Sequence, residues 1–508
     1  MTASLFALMA RNFPADRSRP LLITPDGQTL SYGDMDALSA RIARLLTELG
    51  LAKGDRVAVQ VEKSPEALAL YLACLKAGLV FLPMNTAYRS DEVDYLLGDA
   101  EPGLFVCRPE QQAEAEKLAA ARGCPRVMTL GAPLGTNGSG SLAEAAASQP
   151  AEFAPLPLAE DDLAAMLYTS GTTGRPKGAM LTHRNLAANG LALRDSWRFT
   201  ENDVLLHALP IFHAHGLFVA CHCVLLAGAA MIWLPRFDAA QVIENLPRAT
   251  TFMGVPTFYT RLLAEPAFNR DTTAHMRLFT AGSAPMLAAT HEAFTERTGH
   301  KVLERYGMTE TGMNTGNPYD GERIPGTVGL PFPGVSVRVV DDADSPLPTG
   351  SAGNIQVKGD NVMLGYWRMP EKTAEEFTAD GWFRTGDIGL IDAKGYLSIV
   401  GRAKDMIISG GYNVYPKEIE GLIDALPEVK ESAVVGVPHP DFGEVGIAIV
   451  VPADNQTPDG DTIINHLKNT LANYKVPKKV FTTDTLPRNT MGKVQKNLLR
   501  DQHRSLFT

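Results

Sequence analysis

The stretch Tyr168-Thr-Ser-Gly-Thr-Thr-Gly-Arg-Pro-Lys-Gly-Ala-Met180 combines glycines with hydroxyl residues and carries a lysine, Lys177, near its end. The apolar run from Leu163 to Leu167 predicts a strand leading into it, and a helical pattern begins at His183. Glycines let backbone N–H groups approach phosphate oxygens, hydroxyls donate further hydrogen bonds, and the lysine supplies positive charge. The stretch therefore predicts a polyphosphate-binding loop.

This loop differs from a Walker A loop, in which four residues separate two glycines and Gly-Lys-Ser/Thr closes the pattern. Here two residues separate Gly171 from Gly174, and Pro176 precedes the lysine. A glycine-rich loop alone is a weak signal, because a flexible surface turn has the same composition. The prediction therefore depends on segments further along the chain.

The length and composition indicate a globular protein of two or more domains. A chain of 508 residues is too long for one hydrophobic core. Hydrophobic residues make up 45% and charged residues 20%, which is ordinary for such proteins. The net charge of -10 argues against nucleic acid or an anionic membrane as the main partner, since both favour a basic face.

The five cysteines include no Cys-x-x-Cys pair, which argues against a disulfide framework or a zinc site and fits a reducing cytoplasm. The start, MTASLFALMARNF, has no basic lead and no clear cleavage site, so we expect no signal peptide. The apolar stretch from Gly216 to Leu234 is long enough to span a membrane. Because Gly228 divides it, we predict a buried helix followed by a buried strand instead.

The order of predicted elements indicates an α/β fold. After a hairpin around Asp26-Gly27, strands and helices alternate to about residue 310, which favours parallel sheets with covering helices. Short strands with frequent glycines follow Gly326 and predict a smaller β-rich unit. We expect a domain boundary near Gly401 and a compact tail of helices and strands beyond it.

Four further segments carry side chains that a nucleotide site needs. An aromatic ring can stack on a base, a carboxylate can hold Mg²⁺ or accept two ribose hydroxyls, and cations can reach phosphate. We expect Asp387 to end its segment at a glycine turn. Each segment alone also has a purely structural interpretation: a helix start with a solvated acid, an Asx turn at Gly386-Asp387, a charged linker, or a solvated lysine near the C-terminus. The segments are Glu304-Arg-Tyr-Gly-Met-Thr-Glu310, Gly381-Trp-Phe-Arg-Thr-Gly-Asp387, Gly401-Arg-Ala-Lys-Asp405 with the pair Gly410-Gly411, and Pro487-Arg-Asn-Thr-Met-Gly-Lys493-Val-Gln-Lys496.

With these segments in this order, the chain resembles the acyl- and aryl-CoA synthetases of the adenylate-forming (ANL) superfamily, which also contains firefly luciferase. The resemblance implies an AMP-binding N-terminal domain over residues 1–401, built of layered α/β sheets with a small β-rich subdomain. It implies a mobile α+β lid domain over residues 402–508, with a hinge near Lys404. ATP and coenzyme A are the implied substrates, and Mg²⁺ is the implied cofactor.

The resemblance also implies roles for single residues. Lys493 would bridge the substrate carboxylate and the α-phosphate, and the strand at Gly410 and Gly411 would meet the pantetheine of coenzyme A once the lid has rotated. His213 resembles the family's pocket histidine and completes a catalytic set with Lys493, Thr309, Glu310 and Lys177. The implied ATP contacts are Thr169, Ser170, Gly171, Thr172, Thr173, Gly174 and Lys177 for the β- and γ-phosphates, Thr172 and Glu310 near Mg²⁺, Gly282, Ser283, Ala284 and Tyr306 around adenine, Thr309 at the α-phosphate, Asp387 and Arg402 at the ribose, and Gly307 as a further nucleotide contact.

Arg261 bears on the choice of acid. It follows an apolar strand at the start of a short helix, where a pocket for a purely apolar acid needs no cation. An arginine can pair bidentately with a carboxylate, which predicts a dicarboxylic substrate; a surface arginine is the alternative. The strings VPTFYTRLL, ERYGMTETGMNTGNPYDGERIPGTVG and PRNTMGKVQKNLLR resemble the malonyl-CoA synthetases of the MatB type. These imply that malonate or methylmalonate is joined to coenzyme A, with ATP cleaved to AMP and pyrophosphate.

Other readings stay open at this point. A short- or medium-chain fatty acyl-CoA synthetase is the main alternative, and a luciferase-like activity or a carrier-loading adenylation domain fits less well. A non-catalytic nucleotide-binding protein is disfavoured because Lys177, Glu310, Asp387 and Lys493 are all present. Acetylation of Lys493 by a lysine acetyltransferase, reversed by a deacetylase, would remove its charge and switch off the first step.

Overall fold

The computed structural model describes residues 4–131, 140–169, 176–284, 286–409, 412–440, 442–471, 473–489 and 492–507. Within these residues the strands form four β-sheets, and most helices cover the two largest. Some predicted site residues lie outside the described residues, namely Ser170, Gly171, Thr172, Thr173, Gly174, Gly410 and Gly411.

The strands of the described chain are numbered in sequence order. They are β1 Pro20–Ile23, β2 Thr29–Ser31, β3 Arg56–Gln60, β4 Val80–Pro83, β5 Leu104–Cys107, β6 Val127–Thr129, β7 Leu163–Thr169, β8 Lys177–Thr182, β9 Val204–His207, β10 Ala230–Trp233, β11 Thr251–Gly254, β12 Leu278–Ala281, β13 Leu303–Met308, β14 Gly312–Gly316, β15 Leu330–Pro331, β16 Val335–Val340, β17 Gly353–Gly359, β18 Gly365–Tyr366, β19 Phe383–Ile391, β20 Leu397–Arg402, β21 Ile407–Ser409, β22 Tyr412–Val414, β23 Val429–His439, β24 Gly443–Pro452 and β25 Lys479–Thr482.

The α-helices are numbered in the same way. They are α1 Leu5–Arg11, α2 Tyr32–Glu48, α3 Pro65–Ala77, α4 Ser90–Ala100, α5 Gln112–Ala121, α6 Ser141–Ala147, α7 His183–Ser196, α8 His222–Ala227, α9 Ala239–Asn245, α10 Pro256–Leu263, α11 Arg270–Thr273, α12 Ala288–Thr298, α13 Pro370–Glu376, α14 Pro416–Asp424, α15 Gly460–Lys468 and α16 Lys496–Gln502.

Two largely parallel sheets form the body of the N-terminal part. One has nine strands in the order β15-β14-β13-β12-β11-β9-β10-β1-β2, and the other has seven in the order β18-β8-β7-β4-β3-β5-β6. Strands such as β4 and β11 are buried along their whole length, as expected where helices cover both faces of a parallel sheet. The predicted α/β architecture, including the hairpin of β1 and β2, is therefore confirmed.

Strand β8 is an element that the sequence did not predict. The helix at His183 is present as α7, but β8 lies between it and the phosphate loop and pairs antiparallel with β7, so that Thr169 faces Lys177. Its other edge pairs with β18, almost two hundred residues later in the chain. In the sequence, residues 170–175 therefore lie between two strands that pair with each other, and α7 begins only after β8.

The apolar stretch before residue 235 is buried. A π-helix runs from His215 to Cys221, α8 continues to Ala227, and β10 follows, which confirms the predicted helix and strand. Among the described helices, none combines the length and apolar character needed to cross a bilayer.

Smaller sheets complete the fold. An antiparallel sheet, β16-β17-β19-β20, forms the predicted β-rich unit. Asp387 lies inside β19 and not at the end of a turn as expected. The preceding residue, Gly386, has a left-handed φ of 71°, but the strand continues through it, close to a shift in the pairing register of β19 with β20. Beyond it, β21 to β25 form a separate sheet against which α14 and α15 pack.

Candidate active site

The C-terminal loop that carries Lys493 lies against the N-terminal part of the chain. A Cβ atom added to Gly492 would lie 3.3 Å from the side chain of Thr257, a residue of α10. Gly492 also has a φ of 75°, which favours glycine. The loop therefore delivers the next residue, Lys493, into the cleft between the two parts.

Lys493 meets four of the charged residues of that cleft. Burial among protein atoms lowers the pKa of its amine to about 8, although Lys493 keeps part of its surface exposed to solvent. The positive charges of Arg402 and Arg305 lower that pKa further, while the carboxylates of Asp387 and Glu310 oppose the shift. Residues separated by up to about two hundred positions in the sequence thus converge on one amine.

Tyr306, Asp387 and Arg402 form a hydrogen-bonded cluster. The Tyr306 hydroxyl donates to Oδ2 of Asp387 over 2.6 Å, and Nε of Arg402 lies 2.9 Å from Oδ1. Pairing of β19 with β20 sets Asp387 directly opposite Arg402. Asp387 is buried, whereas Arg402 keeps 41% of its side-chain surface exposed. Three residues predicted to contact the nucleoside are therefore in mutual contact.

Glu310 lies in the turn between β13 and β14. Its Oε1 atom accepts hydrogen bonds from the hydroxyls of Thr169 (3.2 Å) and Tyr366 (3.1 Å). The backbone N–H of Met363 donates to its carbonyl over 2.7 Å. Both side-chain donors bond the same oxygen, so Oε2 accepts no hydrogen bond from these two side chains.

The arrangement around Glu310 fits Mg²⁺ held jointly with a substrate. No group of three or more acidic, histidine or cysteine side chains in the described residues could hold a metal by itself. Mg²⁺ is usually bound by one or two carboxylates together with substrate phosphates and water. Glu310, with Thr169 beside it, would supply the protein's share of such a site.

Lys177 begins β8 and is buried. Its Nζ atom lies over the ring of Tyr366, 4.2 Å from the centroid, and 3.7 Å from Oε1 of Glu376. The amine is therefore held at the edge of the phosphate loop by one aromatic and one acidic side chain.

Two histidines line the wall next to Lys493. Burial, with the positive charges of Lys493 and Arg305, lowers the pKa of His213 to about 3. Burial also lowers the pKa of His215, whose Nδ1 lies 3.3 Å from the hydroxyl of Ser283. Both imidazoles are therefore neutral near pH 7, His213 as a half-buried side chain and His215 as a fully buried one.

Arg305 is a site residue that the sequence reasoning missed. It is only 3% exposed, and its Nε and Nη2 atoms have no hydrogen-bond partner in the described part of the chain. A Cβ atom on Gly282 would lie 2.4 Å from the guanidinium, so only glycine leaves room for it. Burial lowers its pKa to about 9. A cation at an internal position of the Glu304–Glu310 segment was the available signal.

The other predicted residues occupy different positions. Arg261 lies on α10 and is exposed, so its role at the substrate stays a prediction. Gly282, Ser283 and Ala284 follow β12, and Ser283 has a φ of 71°. At Gly307 a Cβ would lie 2.1 Å from a backbone oxygen of the neighbouring strand. These backbones pack too closely for larger residues at the two glycines.

Comparison with known families agrees with this geometry. Residues 9–367 match the AMP-binding enzyme family, and residues 418–493 match the AMP-binding enzyme C-terminal domain. The chain belongs to the AMP-binding enzyme family. The predicted resemblance to the adenylate-forming acyl-CoA synthetases and the predicted fold are thereby confirmed.

Individual relatives of this AMP-binding enzyme are close. ATP-bound MatB from Rhodopseudomonas palustris is 54% identical, with all of both chains covered and a TM-score of 0.97, against 0.86 for the apo form. A feruloyl-CoA synthase from an Amycolatopsis species is 38% identical over 93% of this chain and 94% of its own. A malonate–CoA ligase from Mus musculus is 35% identical over 92% and 85%.

Proposed function

We propose that this AMP-binding enzyme is an ATP-dependent malonate–CoA ligase. It converts malonate to malonyl-CoA through a malonyl-adenylate and releases AMP and pyrophosphate. The observation that carries the choice of acid is Arg305, a buried guanidinium with unpartnered donors beside the predicted reaction centre. The similarity to MatB and to a malonate–CoA ligase supports the same choice.

The first step activates the acid. A carboxylate oxygen of malonate attacks the α-phosphorus of ATP, and the bond to the bridging oxygen breaks to release pyrophosphate. Two anions must meet, so stabilisation of charge is the main catalytic requirement. Lys493 is placed to lie between the carboxylate and the α-phosphate, and Lys177 beside the departing pyrophosphate. Loss of one such preorganised donor costs about 3 kcal/mol of barrier, or more than about a hundredfold in rate.

The predicted nucleoside and metal contacts complete this step. Asp387 and Arg402 would bind the ribose, Tyr306 would lie against adenine, and Thr309 would donate to the α-phosphate. Mg²⁺ held at Glu310 would neutralise charge on the phosphates when bound. The phosphate-loop residues Ser170 to Gly174 would surround the same oxygens.

The second step transfers the malonyl group. The sulfur of coenzyme A attacks the carbonyl carbon of the adenylate, and AMP leaves. Lys493 would stand in the way of this thiol, so we propose that the C-terminal domain, residues 402–508, rotates about Lys404 between the steps. His213 would then border the path of the pantetheine, with Gly410 and Gly411 on its other side.

Malonate suits the acid site because it is short and carries two charges. Lys493 and Arg305 both lower the pKa of His213, so both cations lie close to one imidazole. One carboxylate can therefore react near Lys493 while the other pairs with the guanidinium of Arg305. A buried charge without a partner is costly, and an arginine–carboxylate pair is strong and bidentate. Exposed Arg261 is a second candidate partner.

A short- or medium-chain fatty acyl-CoA synthetase is the alternative. An apolar acid would leave the Arg305 guanidinium buried and unpaired. The geometry therefore favours a dicarboxylate over a fatty acid, and the choice between malonate and methylmalonate rests on the space for one methyl group.

The direct test is pyrophosphate release with ATP, Mg²⁺, coenzyme A and a panel of acids. We expect malonate or methylmalonate to support the fastest release, with the matching CoA thioester detected by mass spectrometry. Acetate is short but has one carboxylate, so it tests whether a small size is sufficient. Octanoate tests whether the enzyme prefers an apolar acid. Preference for octanoate would contradict the assignment of a dicarboxylate.

We also propose that acetylation of Lys493 blocks adenylation, because it removes the charge on which the first step depends. A lysine acetyltransferase and a deacetylase would then act on this residue. Lys493 is exposed to solvent, which supports this proposal.

A further inference from the structure

Tyr366 contacts both of the groups that the proposed function assigns to the phosphates and their cation. Its ring faces the amine of Lys177, 4.2 Å from the centroid, and its hydroxyl donates to Oε1 of Glu310 over 3.1 Å. The side chain is 4% exposed, so it is part of the interior and not of the ligand surface. Nothing in the sequence reasoning singled this residue out.

The segment around Tyr366, residues 361–367, joins the two ligand-binding elements. On one side it pairs with β8, the strand that Lys177 begins, and on the other it bonds the turn that holds Glu310. Four hydrogen bonds make these connections, namely Asn361 Nδ2 to the Thr311 carbonyl (2.7 Å), Met363 N to the Glu310 carbonyl (2.7 Å), Leu364 N to the Met180 carbonyl (3.0 Å) and Trp367 N to the Gly178 carbonyl (2.8 Å).

We propose that Tyr366 is a positioning residue that sets the place of the phosphate-binding lysine relative to the metal-binding carboxylate. This inference rests on the proposed adenylation step and adds a residue that touches neither substrate nor metal. The ring face holds Lys177, and the hydroxyl holds Glu310. One rigid side chain thus fixes two flexible ones.

The physical need for such a residue follows from the charges. A lysine amine and a glutamate carboxylate near the same phosphates attract each other, and a direct ion pair would withdraw both from the ligand. Tyr366 gives each group its own contact. Cation–π attraction to the ring holds the amine, and the neutral hydroxyl donates to one carboxylate oxygen. A phenol carries its proton near pH 7, so the Tyr366 hydroxyl is available as a hydrogen-bond donor.

Glu376 is the carboxylate next to the Lys177 amine. It lies 3.7 Å from the Lys177 amine and 3.1 Å from that of Lys372, so its charge is shared between two cations. Lys177 therefore keeps attraction available for an incoming anion. The ring of Tyr366 orients the Lys177 amine without placing another negative charge beside it.

Two substitutions separate the two contacts. Tyr366→Phe removes only the hydroxyl that holds Glu310, while Tyr366→Leu also removes the ring face under Lys177. Tyr396→Phe is the matched control, because Tyr396 is buried and donates its hydroxyl to a backbone carbonyl, that of Glu322, over 2.8 Å. Thermal melting of each variant reports on the fold.

The readout is equilibrium binding of Mn²⁺, which accepts the same oxygen ligands as Mg²⁺ and is followed by electron paramagnetic resonance with α,β-methylene-ATP present. We expect Tyr366→Phe to weaken Mn²⁺ binding by about tenfold, because a hydrogen bond to a charged group is lost. Its affinity for the metal-free analogue should stay near the wild-type value. Tyr366→Leu should weaken both, and Tyr396→Phe neither.

Unchanged Mn²⁺ binding in Tyr366→Phe would overturn the inference, as would an equal loss in Tyr396→Phe. If Tyr366→Leu fails to fold, Tyr366→Phe alone decides. The two proposals fail separately: a wild-type protein that binds the Mn²⁺–analogue complex but releases no pyrophosphate with any acid refutes the ligase and not the role of Tyr366. A wild-type protein that binds no nucleotide refutes both.

Discussion

Nε of Arg402 lies 2.9 Å from Oδ1 of Asp387, across the paired strands β19 and β20. This ion pair joins the N-terminal part of the enzyme to the residue immediately before the 3₁₀ turn Ala403–Asp405, which contains the proposed hinge. A residue that binds ribose would therefore be coupled to the base of the lid.

Asp387→Asn tests that contact. The amide keeps the shape of the side chain but loses the charge that Arg402 and two ribose hydroxyls would share. We expect the KM for ATP to rise about tenfold to a hundredfold, since hydrogen bonds to a charged group contribute about 1.5–3 kcal/mol. Discrimination between ATP and its 3′-deoxy analogue should fall in parallel. Unchanged discrimination would place the ribose elsewhere.

The two arginines near the acid site make different predictions. Arg305→Leu should raise the KM for malonate by about a hundredfold or more, because the partner of a buried carboxylate is lost. It should also improve the use of butyrate relative to malonate. Arg261→Leu is the matched control on an exposed site, and we expect a smaller effect. If Arg261→Leu abolishes malonate selectivity and Arg305→Leu does not, Arg261 holds the distal carboxylate.

Lys493 predicts an alkaline limit to adenylation. Its pKa lies near 8, below the usual value of 10.5, so the amine is charged below that pH and loses its charge as the pH rises through it. The kcat/KM for malonate should therefore fall above about pH 8, since this parameter reports pKa values of the free enzyme. Lys493→Arg, whose guanidinium stays charged, should be slower but should not show this fall in kcat/KM above about pH 8. If kcat/KM falls above about pH 8 in the same way in both proteins, the group that titrates there is not Lys493.

A substitution at Gly492 tests whether the present position of the C-terminal domain is needed for adenylation and not for thioester formation. Gly492→Val should disfavour the present position, because its Cβ would meet Thr257 and its φ of 75° suits glycine. We expect malonate-dependent pyrophosphate release to fall at least about tenfold, the cost of a strained backbone position. Transfer of malonyl from synthetic malonyl-adenylate to coenzyme A should change much less. Equal loss of both steps would show general damage.

The sequence predicted those parts of the fold whose signals are local. The apolar run of β7, the helix α7 that begins at His183 and the hairpin of β1 and β2 each carry their own pattern and are present. Strand β8 was missed because its pairing depends on β18, which lies far along the chain. Asp387 was placed in a turn because Gly-Asp is common there, whereas pairing with β20 holds it in a strand.

The candidate site shows the same division. Motifs named Lys177, Glu310, Asp387 and Lys493, and the structure brings the last three together around one amine. Arg305 and Tyr366 were missed because a strand buried on both faces has no alternation to show where a side chain points. Arg305 stands out because two of its nitrogens lack hydrogen-bond partners among the described residues, and Tyr366 because it contacts both Lys177 and Glu310. Both features are visible only in the three-dimensional contacts.

The most direct test of the central claim is malonate-dependent exchange of labelled pyrophosphate into ATP without coenzyme A. This isolates the adenylation step in which Lys493 and the ATP-binding cluster act together. We predict exchange with malonate in the wild-type enzyme and a loss of more than about a hundredfold in Lys493→Ala, with ATP binding retained. Exchange that is absent with malonate, or that survives intact in Lys493→Ala, would contradict the account.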